Sequence, residues 1–493
     1  MTDHPRARCW LFLLYLLAWH TKAQATTLAP AHASMPMRPV SLREQTIELS
    51  LADAIYLGLR DNRAIRSSYL QRIAQKFDLR VEEDRFTPQL TLSGRHIAYR
   101  NQSDRYRQHE VLPQAVWQTA FGTRFSLAWS NQLSIANQAG RTRTDGATFS
   151  VIQPLLRGAG WEINTAPVRL ARLAEQINRL NLKSSVSNSI TQIILAYREL
   201  LRAQEQVQIA KDALARAQQL LEANQAMIAA GRMAAFEVVQ TQAAVAAQEL
   251  AVEEAYNQLD GGRLALLQLL ALDLNSPLNA SDTLQPQHTQ MSLAEALGAA
   301  YEQQPAYLTQ LIVSEQAAIN LLLASNEQRW DVSLVGGATQ VRDHLAVGGV
   351  RTTEHSWEGY AGIQLDIPLN DLSIRQTKVR AQVQVEDQNI RLAESRQLLQ
   401  RDVGNSLRDL NTRWRQYEIA QRAQALSRRT LQIEREKLAA GRSSNFQVIS
   451  FEADLRNAEN TRLNALIAYF NAQSTLDQNL GTTLDSWGIE LND

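Results

Sequence analysis

The side chains that commonly do chemistry are all present, but no spacing arranges them to do it. Eight histidines show no H-x-x-x-H or other ligand spacing, so none marks a metal centre. Gly158-Ala159-Gly160 follows a strand-like run, yet no Lys-Ser/Thr completes a phosphate loop. The single Cys excludes a disulfide framework and a Cys-based zinc site. No Ser/His/Asp grouping has a local signature, and Glu82-Glu83-Asp84 reads as the wet face of a helix. Neither catalysis nor a cofactor is expected. What does recur is Ala-Gly-Arg, at 230–232 and again at 440–442. Gly231 and Gly441 suit helix reversals that need a positive φ. Arg232 and Arg442 then stand ready to donate to carbonyls or carboxylates of another molecule, or to cap the helix before them. Both readings of the arginines stay open.

The elements that position these turns follow from a duplication. Ser50-Leu51-Ala52-Asp53-Ala54 returns as Ser292-Leu293-Ala294-Glu295-Ala296, and Leu90, Leu92 and Gly94 return as Val332, Leu334 and Gly336, all 242 positions later. Pro154-Leu155 returns as Pro368-Leu369 at an offset of 214, while Phe236 and Val238 match Phe446 and Val448 at 210. The first copy therefore holds 28 extra residues between Gly94 and Pro154. The reading is one domain of two tandem copies, 50–275 and 292–485, with an extension at 26–49, a linker at 276–291 and a tail at 486–493.

Each copy reads helix, strands, long helix, turn, helix. No proline lies between Pro167 and Pro277, and none follows Pro368, which suits long helices. Apolar residues recur every seventh position at Val186, Ile193, Leu200, Val207, Leu214, Leu221 and Ile228, then at Val238, Val245, Val252, Leu259 and Leu266. The second copy has Val403, Leu410, Tyr417, Leu431 and Leu438, broken at Gln424, and Val448, Leu455, Tyr469 and Leu476, broken at Arg462. A strict seven-residue period predicts left-handed antiparallel coiled coils. A ~60-residue helix from Pro167 to Ile228 would reach about 90 Å, far too long for a globular core.

The strand candidates alternate. Ile363, Leu365 and Ile367 oppose Gln364 and Asp366, and a partner strand starts near Trp330. The first copy offers Gln89–Tyr99, Ala147–Leu155 and a third run, Phe121–Trp129, inside the 28-residue excess. Asn101–Glu110 and Asn131–Asp145 read as solvent-exposed loops. Four strands per chain cannot close alone, and three chains would give a twelve-stranded barrel with a lumen.

The ends and the charge fix the compartment. Arg6 and Arg8, the apolar run Cys9–Trp19 and Ala23-Gln24-Ala25 form a secretory signal at 1–25, whose apolar run is too short to span a bilayer. Cleavage takes the only Cys and turns the balance of 50 basic and 50 acidic residues into 47 against 49, a net of about −2, which argues against nucleic acid as a partner. No stretch of 18 apolar residues follows, so membrane insertion would have to use strands.

Together these residues resemble the TolC-type outer-membrane factors over nearly all of the mature chain. The resemblance rests on the doubled helix–hairpin–helix order, on Gly231…Val238 and Gly441…Val448, and on the strand endings Gln153-Pro154-Leu155-Leu156 and Ile367-Pro368-Leu369. It implies a mainly α chain with a β membrane part, whose two helix-strand-strand-helix-turn-helix repeats assemble into a trimeric α-barrel/β-barrel tube. It further implies an outer-membrane exit duct reaching into the periplasm and serving a tripartite efflux pump or type I secretion system. The partners would be the homotrimer, a periplasmic adaptor, an inner-membrane transporter and outer-membrane lipid. Gly231, Arg232, Gly441 and Arg442 would then be adaptor-docking tips. Relatives narrow the pore mouth with acidic rings; the matching positions here are Gln447 and Ser450, with Glu237 and Gln240 in the first copy, so only Glu237 offers a charge. A closed state held by other contacts, or a weaker ion selectivity, would follow. The competing reading is a periplasmic or surface coiled-coil scaffold without a pore.

Overall fold

The structure is a computed structural model that describes residues 47–491 apart from 101, 103, 138, 139 and 370. The expected signal, most of the 26–49 extension and the last two residues of the tail lie outside the described residues. Ile47–Glu48 and Asn275–Asn279 belong to a small unit of their own, in which Ile47 N donates to Pro277 O at 2.9 Å. Everything that follows concerns the large unit.

Local capping explains why the two copies are recognisable. Helix α1 (Leu51–Asp61) starts at Ser50, whose hydroxyl accepts from Asp53 N. Helix α5 (Leu293–Gln303) starts at Ser292, which forms a full capping box with Glu295. The repeated Ser-Leu-Ala-Asp/Glu-Ala string is thus a helix start. Asn62 caps α2 (Arg63–Glu83), and Gln304 caps α6 (Pro305–Glu327). The long helices α3 (Ala166–Ala229) and α7 (Leu372–Ala439) hold 64 and 68 residues, and each turns back into a partner, α4 (Glu237–Leu269) and α8 (Asn445–Leu480).

The seven-residue rows are buried where the helices pack. Val403, Leu410, Tyr417, Leu431 and Leu438 on α7 and Val448, Leu455, Tyr469 and Leu476 on α8 are all buried. On α3 the row from Leu214 onward is only half-buried. The buried line there runs through Ala203, Ala210, Ala213, Ala217, Leu220 and Asn224. Alanines let α3 approach more than one neighbour, which a single apolar row does not reveal.

The sheet departs from the expectation. Among the described residues it has six antiparallel strands in sequence order: β1 (Gln89–Arg100), β2 (Arg105–Gln118), β3 (Arg124–Ala136), β4 (Arg141–Pro154), β5 (Asp331–Val347) and β6 (Val350–Asp366). Residues 105–110, 131–136 and 141–145 of the two expected loops are strand, and the 28-residue excess adds a hairpin to the same sheet. The first repeat therefore carries four strands where two, and an unplaced third run at 121–129, were expected. Charge hid the hairpin: Arg105, Arg107 and His109 break the apolar alternation of β2 before Val111. Pro113 costs little inside β2, because it keeps its register with Leu92 while the β2–β3 ladder is interrupted beside it.

Below the sheet, polar links pin α3 to its neighbours. Arg72 of α2, only 4% exposed, makes a bidentate pair with Glu175. Arg198 on α3 donates to Phe470 O and to Ser474 Oγ (3.0 Å) on α8 and lies 5.4 Å from the Phe470 ring. Nearby, burial pushes the Asp477 carboxyl up to about 6, opposed by the Arg198 charge. The folded state thus holds this proton more tightly than the unfolded chain does. Stability is expected to rise by up to about 3 kcal/mol as pH falls through about 6 toward 4, and to be lost again as pH rises. Thermal midpoints followed by circular dichroism should show this gain in wild type and a flattened profile in Asp477→Asn.

Candidate functional site

Both helix-to-helix turns end in the same way. Gly231 and Gly441 each adopt φ +70. Gly231 N donates to Ile228 O (2.9 Å) and Arg232 N to Met227 O (2.8 Å); Gly441 N donates to Leu438 O (2.9 Å) and Arg442 N to Lys437 O (2.8 Å). This is the Schellman pattern, which needs a left-handed residue at the glycine. The two arginines then differ. Arg232 Nη2 donates to Ala439 O at 3.2 Å, so it caps the helix of the other hairpin. Arg442 is exposed and makes no ion pair among the described residues. Phe236 and Phe446 stand exposed beside the turns, which leaves an apolar, cationic end.

The gate candidates do not form a cluster of charge. Glu237 is half-buried at the start of α4, and Gln240, Gln447 and Ser450 are exposed. Gln447 accepts from Ser443 Oγ at 3.0 Å. Ser443 also donates to Glu434 at 2.5 Å, and with Lys437 (3.0 Å) holds that carboxyl below its ordinary value.

What joins the hairpins is a set of contacts that the apolar rows did not disclose. Glu452 on α8 accepts from Arg216 Nε of α3 at 3.0 Å and pairs with Arg435 of α7. Glu459, one heptad on, accepts from Arg216 Nη2 (3.4 Å) and Arg428 Nη2 (3.3 Å). Nearer the turns, Asn224, Thr241 and Asn445 form a fully buried polar triad. Asn224 Nδ2 lies 2.7 Å from both Thr241 Oγ1 and Asn445 Oδ1, and Asn445 Nδ2 lies 3.0 Å from Thr241 Oγ1. Asn445 Nδ2 also reaches the Glu237 carbonyl at 3.4 Å. On the same helices α3, α7 and α8, Leu220, Leu431, Leu438, Val448 and Leu455 form one buried apolar cluster. A sequence signal existed: Arg428 and Arg435, like Glu452 and Glu459, are seven residues apart on facing arms.

At the other end the sheet has one apolar face. Outward-pointing Leu90 and Leu92, Val111 and Trp117, Phe125, Leu127 and Trp129, Phe149, Leu334, and Trp357, Ile363 and Leu365 are all exposed except Phe125, which is half-buried. The register puts them on one side of the six strands. The other side of the same span is mixed, with Thr91, Ser93, Gln114, Ser126, Ser150, Thr339 and Gln364 among Val116, Ile152 and Val335. Solved structures share this arrangement of a sheet standing on paired long helices. The *Campylobacter jejuni* CmeC outer membrane channel superposes with a TM-score of 0.65 at 15% identity, covering 88% of this chain and 86% of that one. The fold is that of a TolC-type outer-membrane channel. The *Neisseria gonorrhoeae* MtrE outer membrane channel, solved in its open state, gives 0.65 at 16% identity over 88% of this chain and 89% of its own. The outer membrane protein VceC of *Vibrio cholerae* gives 0.64 at 15%, over 87% and 96%. No protein-family profile matches the chain, and no curated protein does. Within the TolC-type fold, the turns lie at the helical end and the apolar face at the sheet end.

Proposed function

We propose that this chain is an outer-membrane exit duct that works as a homotrimer, with a periplasmic adaptor at its helical turns and an inner-membrane transporter beyond. One observation carries the reading: a six-stranded sheet with a continuous apolar outer run, a mixed, more polar inner face and two unpaired edges, β1 and β6, stands on 64- and 68-residue helices. Unpaired edges are intolerable in hydrocarbon, so each β6 is satisfied by the β1 of the next protomer. The twelve strands expected from the sequence become eighteen, an even count within the known range and a wider lumen. No helix among the described residues is long and apolar enough to cross a membrane. The exposed Phe236, Phe446 and Arg442 give an adaptor an apolar and cationic surface to grip.

A scaffold would have no use for Trp357 at 83% exposure on an outward apolar row. The test is crosslinking in the membrane fraction. A cysteine at Ile363 in β6, scanned against single cysteines at 89–95 in β1, is expected to give a covalent trimer at one or two of the scanned positions. Recovery as a soluble monomer, or crosslinks at none of them, overturns the proposal.

A further inference from the structure

The outer half of the sheet separates its charges by face. Past the apolar run, the outward side carries His96 and Arg100 on β1, Arg105, Arg107 and His109 on β2, and Arg141 and Arg143 on β4. It continues with Arg342 and His344 on β5 and Arg351 and His355 on β6. Asp145 is the one outward acid among the described strand residues, and it is already held by Arg143 and Asn131. The inward side at this level is the reverse: Glu110, Asp343 and Glu354 against Arg95, which pairs with Glu110 at 2.6 Å. On β1, β2, β4, β5 and β6 the outward apolar run gives way to this belt. On β3 it passes through Asn131 and then stays apolar at Leu133 and Ile135.

We propose that this belt is a docking surface for phosphorylated glycolipid headgroups of the outer leaflet. The proposal rests on the membrane-duct reading, since it places the belt where acyl chains end and headgroups begin. Charge complementarity supports it. Seven arginines and four histidines face outward, and Arg107, Arg141 and Arg351 have no carboxylate partner among the described residues. Guanidinium groups bind phosphate oxygens bidentately, and histidines add donors at the same level. The rings already in contact show a prearranged surface: Arg342 Nε donates to His355 Nδ1 at 3.1 Å, and the His96 and His109 nitrogens lie 3.1 Å apart across β1 and β2. A lumen wall of the opposite sign keeps the same anions out of the channel.

The experiment uses the detergent-extracted full-length trimer, with lipid A, its dephosphorylated form and phosphatidylglycerol as probes, read by native mass spectrometry. Wild type is expected to retain lipid A at least tenfold more tightly than either of the other two, and to lose it as salt rises. The outward variant R107Q/R141Q/R342Q/R351Q should lose at least tenfold, and inward R95Q nothing. Trimer mobility on gels monitors assembly of each variant. If the quadruple variant fails to assemble, the lipid and salt comparisons on wild type still decide. Equal binding of the three lipids, or an assembled quadruple variant that binds as wild type does, overturns the proposal. A soluble monomer would instead overturn the duct reading, whereas an inserted trimer indifferent to lipid A removes only the belt.

Discussion

Gly441→Pro is expected to bring export down to background, at least 100-fold, while the trimer still inserts. Space is not the reason, since a Cβ at Gly441 would meet nothing within 4 Å. The reason is the backbone. Proline fixes φ near −65°, whereas Gly441 sits at +70, and the ring removes the N–H that donates to Leu438 O. The turn must open, and its exposed Phe446 and Arg442 move with it. The hairpin behind the turn is held independently by Leu431, Leu438, Val448 and Leu455, so the rest of the protomer keeps its packing. Gly441→Ala separates strain from shape: a left-handed alanine costs about 1 kcal/mol and leaves the hydrogen bond, so export should fall less than about threefold. Both variants are read by dye accumulation in cells lacking their own duct, alongside trimer mobility on gels. Export that survives Gly441→Pro would show that the second turn is not a docking surface.

The turn glycines were legible because glycine alone satisfies a left-handed helix end without cost, and the two copies place it in register. The coiled-coil rows were legible for a similar reason: Val403, Leu410 and Leu455 are buried by neighbours that repeat with the helix. The extra hairpin was legible only as a number. The register loss located 28 residues, but the outward face of β2 turns from apolar to Arg and His halfway along. A strand whose one face changes from apolar to basic halfway along does not keep one pattern for its whole length. The buried triad was illegible for a different reason. Asn224, Thr241 and Asn445 come from three helices, and none is unusual in its own stretch of sequence. Tertiary pairing of single polar residues leaves no period to read. The gate candidates illustrate both limits: Gln447 and Ser450 offer no acid to a ring, and the carboxylate contacts that join the hairpins, at Glu452 and Glu459, were visible only as a spacing.

Those contacts predict the second large effect. Glu452→Ala/Glu459→Ala should loosen the helical end and raise single-channel conductance in planar bilayers at least tenfold. Glu459 is 8% exposed and takes Arg216 and Arg428 at once, while Glu452 takes Arg216 and Arg435. Removing both carboxylates leaves three guanidinium groups facing one another, with Arg216 only 19% exposed. Breaking a buried pair by deleting one partner costs about 3–5 kcal/mol; the partial exposure of Arg428 and Arg435 puts this case near the lower end. About 3 kcal/mol shifts the balance between joined and parted hairpins roughly 100-fold, enough to expose a minor state. The two deletions share Arg216, so their effects are not additive and each single variant should do more than half the work of the pair. Amide exchange gives a second readout, with faster exchange in 213–232 and 428–456 and none in the sheet. If the double variant conducts as wild type does with its trimer intact, the hairpins are held shut by the Asn224–Thr241–Asn445 triad and the apolar layer around it.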